Sequence, residues 1–205
     1  MYFVKTPGIL PLIYGNRIWK INTREKIIYP TFDDGPEEEI TPKVLDILDK
    51  YGAKATFFCL GKNAEKHPGI IKDILSAGHA LGNHSYSHKN GFKTGDTEYV
   101  EDVRKCEKIF RASLFRPPYG RMRNEQARIL SEDYKIIMWD IIPGDFDGKV
   151  TKEQCFRRSV KYSGEGTVIV FHDSQKAKEK LLYTLPRYLE YYKEQGYSFN
   201  KIPSD

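Results

Sequence analysis

Cysteine is scarce in this sequence: Cys59, Cys106 and Cys155 are three in number, odd, and far apart. That excludes a disulfide framework, and each lies in an apolar stretch where a free thiol packs as a small hydrophobe. Long apolar runs are missing too, since none approaches the ~20 residues that a membrane-spanning helix needs. The opening stretch, Met1 to Tyr14, is apolar but broken by Pro7, Gly8 and Pro11, and no small-residue cleavage site follows it. Its longest unbroken apolar run is too short for a signal-peptide core, so the expectation is a soluble chain, cytoplasmic by sequence, with no membrane span. No block of basic residues occurs: the net charge of +5 is dispersed, which argues against a nucleic-acid partner. Internal repeats, low-complexity segments and a Gly-rich phosphate loop are likewise absent from the sequence.

What is present fits one globular domain. Hydrophobic residues make up 40% of the 205 residues and charged ones 30%, enough apolar material for a sizeable core. Fourteen tyrosines raise the aromatic content to 13%; such rings stack on sugars, but they are also ordinary core residues. From about Ile27 to Phe199, short β-like runs alternate with helical ones, the pattern of βα units around a parallel sheet. Strands are expected at Ile27 to Phe32, Ala55 to Cys59, His79 to Asn83, Leu114 to Arg116, Tyr134 to Ile142 and Thr167 to His172. Helices are expected after Thr41-Pro42, over a segment whose apolar face includes Ile70, Ile71, Ile74 and Leu75, from Asp96 to Ala112, from Asn124 to Ser131, from a Thr151 to Gln154 capping box to Tyr162, and from about Lys176 to Gln195, interrupted and kinked at Pro186. Residues 1–25 are expected to form an N-terminal extension packed on a single domain of residues 26–205.

Polar residues gather where these strands end, which is where parallel α/β folds place their sites. Thr31-Phe32-Asp33-Asp34-Gly35-Pro36 ends the first strand with adjacent carboxylates; on its own it reads first as a solvated Asp-Gly turn. His84-Ser85-Tyr86-Ser87-His88 ends the third with two imidazoles four residues apart. Curled into one helical turn, they would share an ion, and a carboxylate such as Asp34 would complete three ligands with positions left for water. Taken without its neighbours, the pair is as well read as two surface histidines. Phe115-Arg116-Pro117-Pro118-Tyr119-Gly120 is a rigid strand end presenting a guanidinium, the natural partner of a carboxylate. His172 ends an apolar strand with its tip at the rim. His67 and His79 read as structural.

In this order and separation the motifs resemble the polysaccharide deacetylases, carbohydrate esterase family 4, over about residues 26 to 200. Thr-Phe-Asp-Asp-Gly-Pro and His-Ser-x-x-His are matched in full. The resemblance implies an irregular (β/α)7 barrel and one divalent metal ion held by Asp34, His84 and His88, with zinc first and cobalt, nickel or manganese as alternatives. It implies Asp33 as general base paired with Arg116, the Tyr119 N–H facing the developing oxyanion, and His172 as general acid. In the fourth motif, Ile142-Pro143-Gly144-Asp145-Phe146 keeps only the second Asp: Asp145 is assigned to orient His172, and Phe146 stands where the family has Trp in the groove. The implied activity is hydrolysis of acetyl groups from N-acetylglucosamine-containing or other acetylated oligo- or polysaccharide. Two other readings stay open: a catalytically silent carbohydrate-binding domain, and a metal-dependent amidase of related fold. Pro30, directly before the first motif, and Val170, in place of the family's common Leu, depart from the pattern.

Overall fold

The computed structural model of the chain describes residues 2–204. After a short helix α1 (Ile9–Ile13), the chain alternates strand and helix: β1 (Ile27–Asp33), α2 (Thr41–Lys50), β2 (Thr56–Cys59), α3 (Gly61–Lys66), α4 (Pro68–Ser76), β3 (Ala80–Asn83), α5 (Asp96–Lys105) and β4 (Leu114–Phe115). It continues with α6 (Asn124–Leu130), β5 (Lys135–Ile136), α7 (Lys152–Tyr162), β6 (Val168–His172), α8 (Lys178–Glu194) and β7 (Ser198–Phe199). The strands pair in the order β5-β4-β3-β2-β1-β6, with β7 against the start of β1, and every ladder is parallel. This is the single-domain, barrel-like α/β fold expected from the alternating pattern. Among the described residues, no helix is long and apolar enough to cross a membrane.

Alternation along the strands creates two environments. Ile28 and Phe32 of β1, Phe57 and Cys59 of β2, and Ile169 and Phe171 of β6 join one core cluster with buried side chains of α2, α4 and α8. Phe32 stacks on Phe57 with ring centroids 4.9 Å apart. The intervening residues belong to the other face: Tyr29, Phe58, Leu114, Ile137 and Val168 form a second cluster. Asp33 shares the parity of Tyr29, and His172 that of Val168. They are register partners in the ladder between β1 and β6, side by side at the C-terminal ends of the strands.

Four local expectations need correction. Tyr134 to Ile142 is not one strand: Lys135 and Ile136 pair with β4, whereas Asp140 and Ile141 donate to Val168 of β6. One segment thus changes partners along its length and closes the barrel irregularly, so no continuous ladder forms. The helix from Asp96 ends at Lys105, and residues Cys106–Lys108 tighten into a 3-10 turn. Leu75 sits at the rim of the apolar stripe of α4 and is exposed. Helix α8 continues through Pro186 rather than being interrupted there.

Pro30 is tolerated because the Tyr29 N–H points to Thr167 beside β6, so position 30 faces the other side, where the β2 ladder begins only at Thr31. The three cysteines are free and buried, and His79 is structural, its Nδ1 accepting from the Ala55 N–H at 3.2 Å.

Gly35 is required by Asp173, whose Oδ1 accepts the Gly35 N–H at 3.1 Å and whose Oδ2 accepts from the Thr41 hydroxyl at 2.6 Å. A Cβ on Gly35 would stand 2.1 Å from Asp173 Oδ2. Gly35→Ala is therefore expected to destabilise the fold by about 1–3 kcal/mol through overpacking. Chemical denaturation measures it, and a wild-type midpoint would contradict this account of the turn.

Candidate active site

The site sits where β1, β3, β4 and β6 end. Arg116, immediately after β4, is fully buried. Its Nη1 donates to Asp33 Oδ1 at 2.7 Å and to Thr31 Oγ1 at 2.7 Å, Nη2 to Met138 O at 2.8 Å, and Nε to Ile137 O at 3.3 Å. The guanidinium also lies 4.0 Å above the Phe58 ring. Each bond replaces water that burial removed, which is what allows a charge to stay in the interior.

The carbonyl of Arg116 faces His84 Nδ1 at 2.8 Å. A carbonyl only accepts, so Nδ1 carries the proton and Nε2 presents a lone pair. Burial pushes His84 down to about 4, which keeps the ring neutral. Its Nε2 lies 3.7 Å from Asp34 Oδ1, and His88 Nε2 lies 3.2 Å from the same oxygen. The donor atoms of Asp34, His84 and His88 all fall within 4.8 Å of one another. Asp34 Oδ1 is buried without a hydrogen bond. Burial opposes its ionisation, but His88 and the charges of the surrounding imidazoles outweigh that and hold its carboxyl below the usual range. An orphaned carboxylate oxygen facing two imidazole nitrogens fits a divalent cation, and the donor set suits zinc.

The two histidines do not converge through a helical turn. Ser85 and His88 both adopt left-handed φ, 64° and 62°, and the loop is held by side chains. Asn83 Oδ1 accepts the Ser85 N–H at 2.8 Å, and Ser85 Oγ accepts the His88 N–H at 2.9 Å. Asp102 on α5 takes both the backbone and the hydroxyl of Ser87. Ser85 and Ser87 therefore shape the loop.

His172 is gripped by Asp145, which accepts its backbone N–H at 2.7 Å and its Nδ1 at 2.9 Å. Burial alone would lower the imidazole, but the charge and hydrogen bond of Asp145, with Asp34 and Asp33, lift it to about 9. The groove above these groups has a volume of about 890 Å³ and includes Tyr2, Tyr119, Trp139, Ile142 and Phe146. The Phe146 ring packs 4.9 Å from His172, and the Tyr119 ring 4.5 Å from His88, with Tyr119 at a left-handed φ of 61°. A larger cleft of about 1080 Å³ beside α5 holds Arg104 and Asp133, already paired with each other at 2.7 Å.

All nine residues singled out from the sequence meet in or beneath this groove. Reasoning from the sequence missed Thr31, Asp102, Trp139 and Asp173, and it missed Tyr2. Asp173 directly follows His172 and Trp139 ends the apolar run before the fourth motif, so both carried a signal; Asp102 and Tyr2 carried none.

A family model described as polysaccharide deacetylase matches residues 20–136. Two peptidoglycan-N-acetylglucosamine deacetylases of Bacillus cereus are similar: one is 36% identical over 85% of this chain and 66% of its own length, the other 32% identical over 88% of each. The chain thus spans just under two thirds of the first relative and most of the second. The crystal structure of the Bc1960 peptidoglycan N-acetylglucosamine deacetylase superposes with a TM-score of 0.89 at 32% identity, covering 97% of this chain and 96% of that one.

Removing the guanidinium strands a buried carboxylate. Arg116→Met is expected to cost about 3–5 kcal/mol of stability. Denaturant unfolding reads this out, and a loss below 1 kcal/mol would mean that the pair is not what holds β1 to β4.

Proposed function

The chain belongs to the polysaccharide deacetylase family, and we propose that it hydrolyses acetyl groups from N-acetylglucosamine-containing or other acetylated saccharide, using one divalent ion held by Asp34, His84 and His88. The observation that carries this reading is the juxtaposition, in one groove, of the three-donor cluster with two charge pairs, Asp33 with Arg116 and Asp145 with His172. The B. cereus relatives are named for N-acetylglucosamine in peptidoglycan, which favours an amide-linked acetyl group. Zinc suits this donor set best, and cobalt, nickel and manganese accept the same ligands.

The ion supplies a Lewis acid, which polarises a carbonyl and makes water more acidic. The chain's own residues do the rest. Asp33 has one oxygen committed to Arg116 and the other, Oδ2, on the side of His84, 3.9 Å from its Nε2. That second oxygen accepts the proton of water as the water oxygen attacks the acetyl carbon. Negative charge develops on the former carbonyl oxygen, and the Tyr119 amide, set by its left-handed backbone, meets it. Asp145 fixes the proton on His172 Nδ1, so Nε2 delivers the other proton to the leaving nitrogen. The carbon–nitrogen bond breaks, leaving acetate and a free amine. Phe146 walls the groove beside His172.

Acetate release from chitooligosaccharides, peptidoglycan fragments and acetylated xylan, with and without chelator, tests the activity. Release from at least one substrate, lost with chelator and restored by zinc, is expected; release from none would leave the sugar-binding reading. Elemental analysis should find about one ion per chain and strong loss in His88→Ala, and wild-type metal content in that variant would refute the ligand set.

His172 must be protonated and Asp33 ionised for both to act, so activity should follow a bell-shaped pH profile whose alkaline limb is a fall as pH rises through the raised pKa of His172. His172→Asn is expected to lose about 10² to 10⁴ in kcat while keeping its metal, and more on an amide than on an activated ester. A near wild-type rate on an N-acetyl sugar with an unaltered alkaline limb would assign the proton to another donor.

A further inference from the structure

Residues 2–6 run along the outer edge of the segment that leads to Asp145. The Val4 carbonyl accepts the Ile142 N–H at 2.9 Å, the Thr6 N–H donates to Asp140 O at 2.8 Å, and Lys5 forms an antiparallel bridge with Ile141. The Thr6 hydroxyl adds a bond to Trp139 O at 2.6 Å. This strap delivers Tyr2 to the groove. Its ring lies 5.2 Å from Phe146, which also packs on the His172 ring. Its hydroxyl donates to Asp147 Oδ2 at 3.1 Å and receives Arg158 Nη1 at 3.4 Å, while Arg158 also reaches Pro143 O at 3.3 Å. Gly144 makes the approach possible: its φ is 92°, and a Cβ there would stand 2.2 Å from the Tyr2 oxygen.

We infer that Tyr2 is a specificity-determining wall of the saccharide groove, contributing an aromatic face to a sugar ring and holding Phe146 against His172. The inference rests on the deacetylase reading and adds a residue that none of the family motifs contains and that precedes the matched stretch. The geometry supports it in two ways. A pyranose presents flat C–H faces, and an aromatic ring offers them contact area with little entropy to lose. The Tyr2 ring is already fixed, by its pinned hydroxyl on one side and Phe146 on the other, so binding orders nothing further. With Phe146 between Tyr2 and His172, truncating Tyr2 frees the ring that packs on the histidine.

Tyr2→Ala, Tyr2→Leu and Tyr2→Phe separate a wall from a mere anchor. With an N-acetylglucosamine oligomer, Tyr2→Ala is expected to raise KM about three- to tenfold, with a smaller change in kcat and a smaller effect on a small acetyl ester. Tyr2→Leu keeps an apolar contact with Phe146 but offers no flat face, so it should behave like Tyr2→Ala, whereas Tyr2→Phe restores most of the loss. Thermal unfolding of each variant shows whether the strap stays attached. Wild-type KM in both Tyr2→Ala and Tyr2→Leu overturns the inference and leaves the deacetylase reading standing. If wild type releases no acetate, that reading fails, and tryptophan fluorescence of chelator-treated protein titrated with the oligomer decides the inference alone. Weaker binding by Tyr2→Ala upholds it, equal binding overturns it, and no binding by wild type overturns both.

Discussion

A guanidinium with no access to water must be matched on every side, and the way Arg116 is matched organises the rest of the site. Its donors go to Asp33 and Thr31 on β1 and to the carbonyls of Ile137 and Met138, while its own carbonyl orients His84. One side chain therefore ties β4 to β1 across the barrel interior, and its backbone fixes the tautomer of a candidate metal ligand. The irregular closure runs through the segment that supplies two of these carbonyls. Carbonyls of residues 137 and 138 serve the guanidinium, and the segment makes only short pairings before reaching β6. Replacing the pair with apolar residues could suit stability, as it often does for buried ions, but it would remove the oriented carboxylate.

The gathering of the candidate residues was legible in the sequence because the sheet is parallel. Every strand ends at the same rim, so Asp33, Asp34, His84, His88, Arg116 and His172, each at or just past a strand end, had to come together. The local shape of that rim was not legible. His84 and His88 converge through left-handed residues pinned by Asn83 and Asp102, and the spacing of four that suggests a helical turn arises here for another reason. The broken strand over Tyr134 to Ile142 misled in a similar way: apolar continuity reports burial but not a change of partner along the segment. Tyr2 lies beyond the reach of any such reasoning, since its place depends on distant contacts such as its bond to Asp147, which spans 145 residues of sequence.

His84 and His172 show how surroundings set one residue type to opposite protonation states. His84 is buried and His172 half-buried, and loss of water disfavours the charged ring of each. For His84 the main-chain partner is a neutral carbonyl, too weak to offset that loss, and the neighbouring imidazole of His88 adds repulsion against the charges of Asp33 and Asp34. The ring stays neutral, which is the form able to offer a lone pair. For His172 the partner is a buried carboxylate that accepts two of its hydrogens, and charge plus hydrogen bond exceed the desolvation penalty. The ring is held in its protonated form. Environments that push two titratable groups apart in this way mark their separate roles.

The lift on His172 has two sources, and they differ in what becomes of them when a cation is present. Asp145 belongs to the chain alone and lies in direct contact. Asp34 and Asp33 act through space, and Asp34 would share its charge with a dication. Loading the site therefore subtracts from the more distant contribution and leaves Asp145 as the dominant one. The position of Asp145 depends in turn on the loop of residues 142–147, which Arg158 holds at Pro143 and the strap holds at Ile142. A fourth motif reduced to one of its usual acids can still support a proton donor on these terms, because the retained carboxylate is the one in contact with the histidine and the loop that carries it is fastened from both sides.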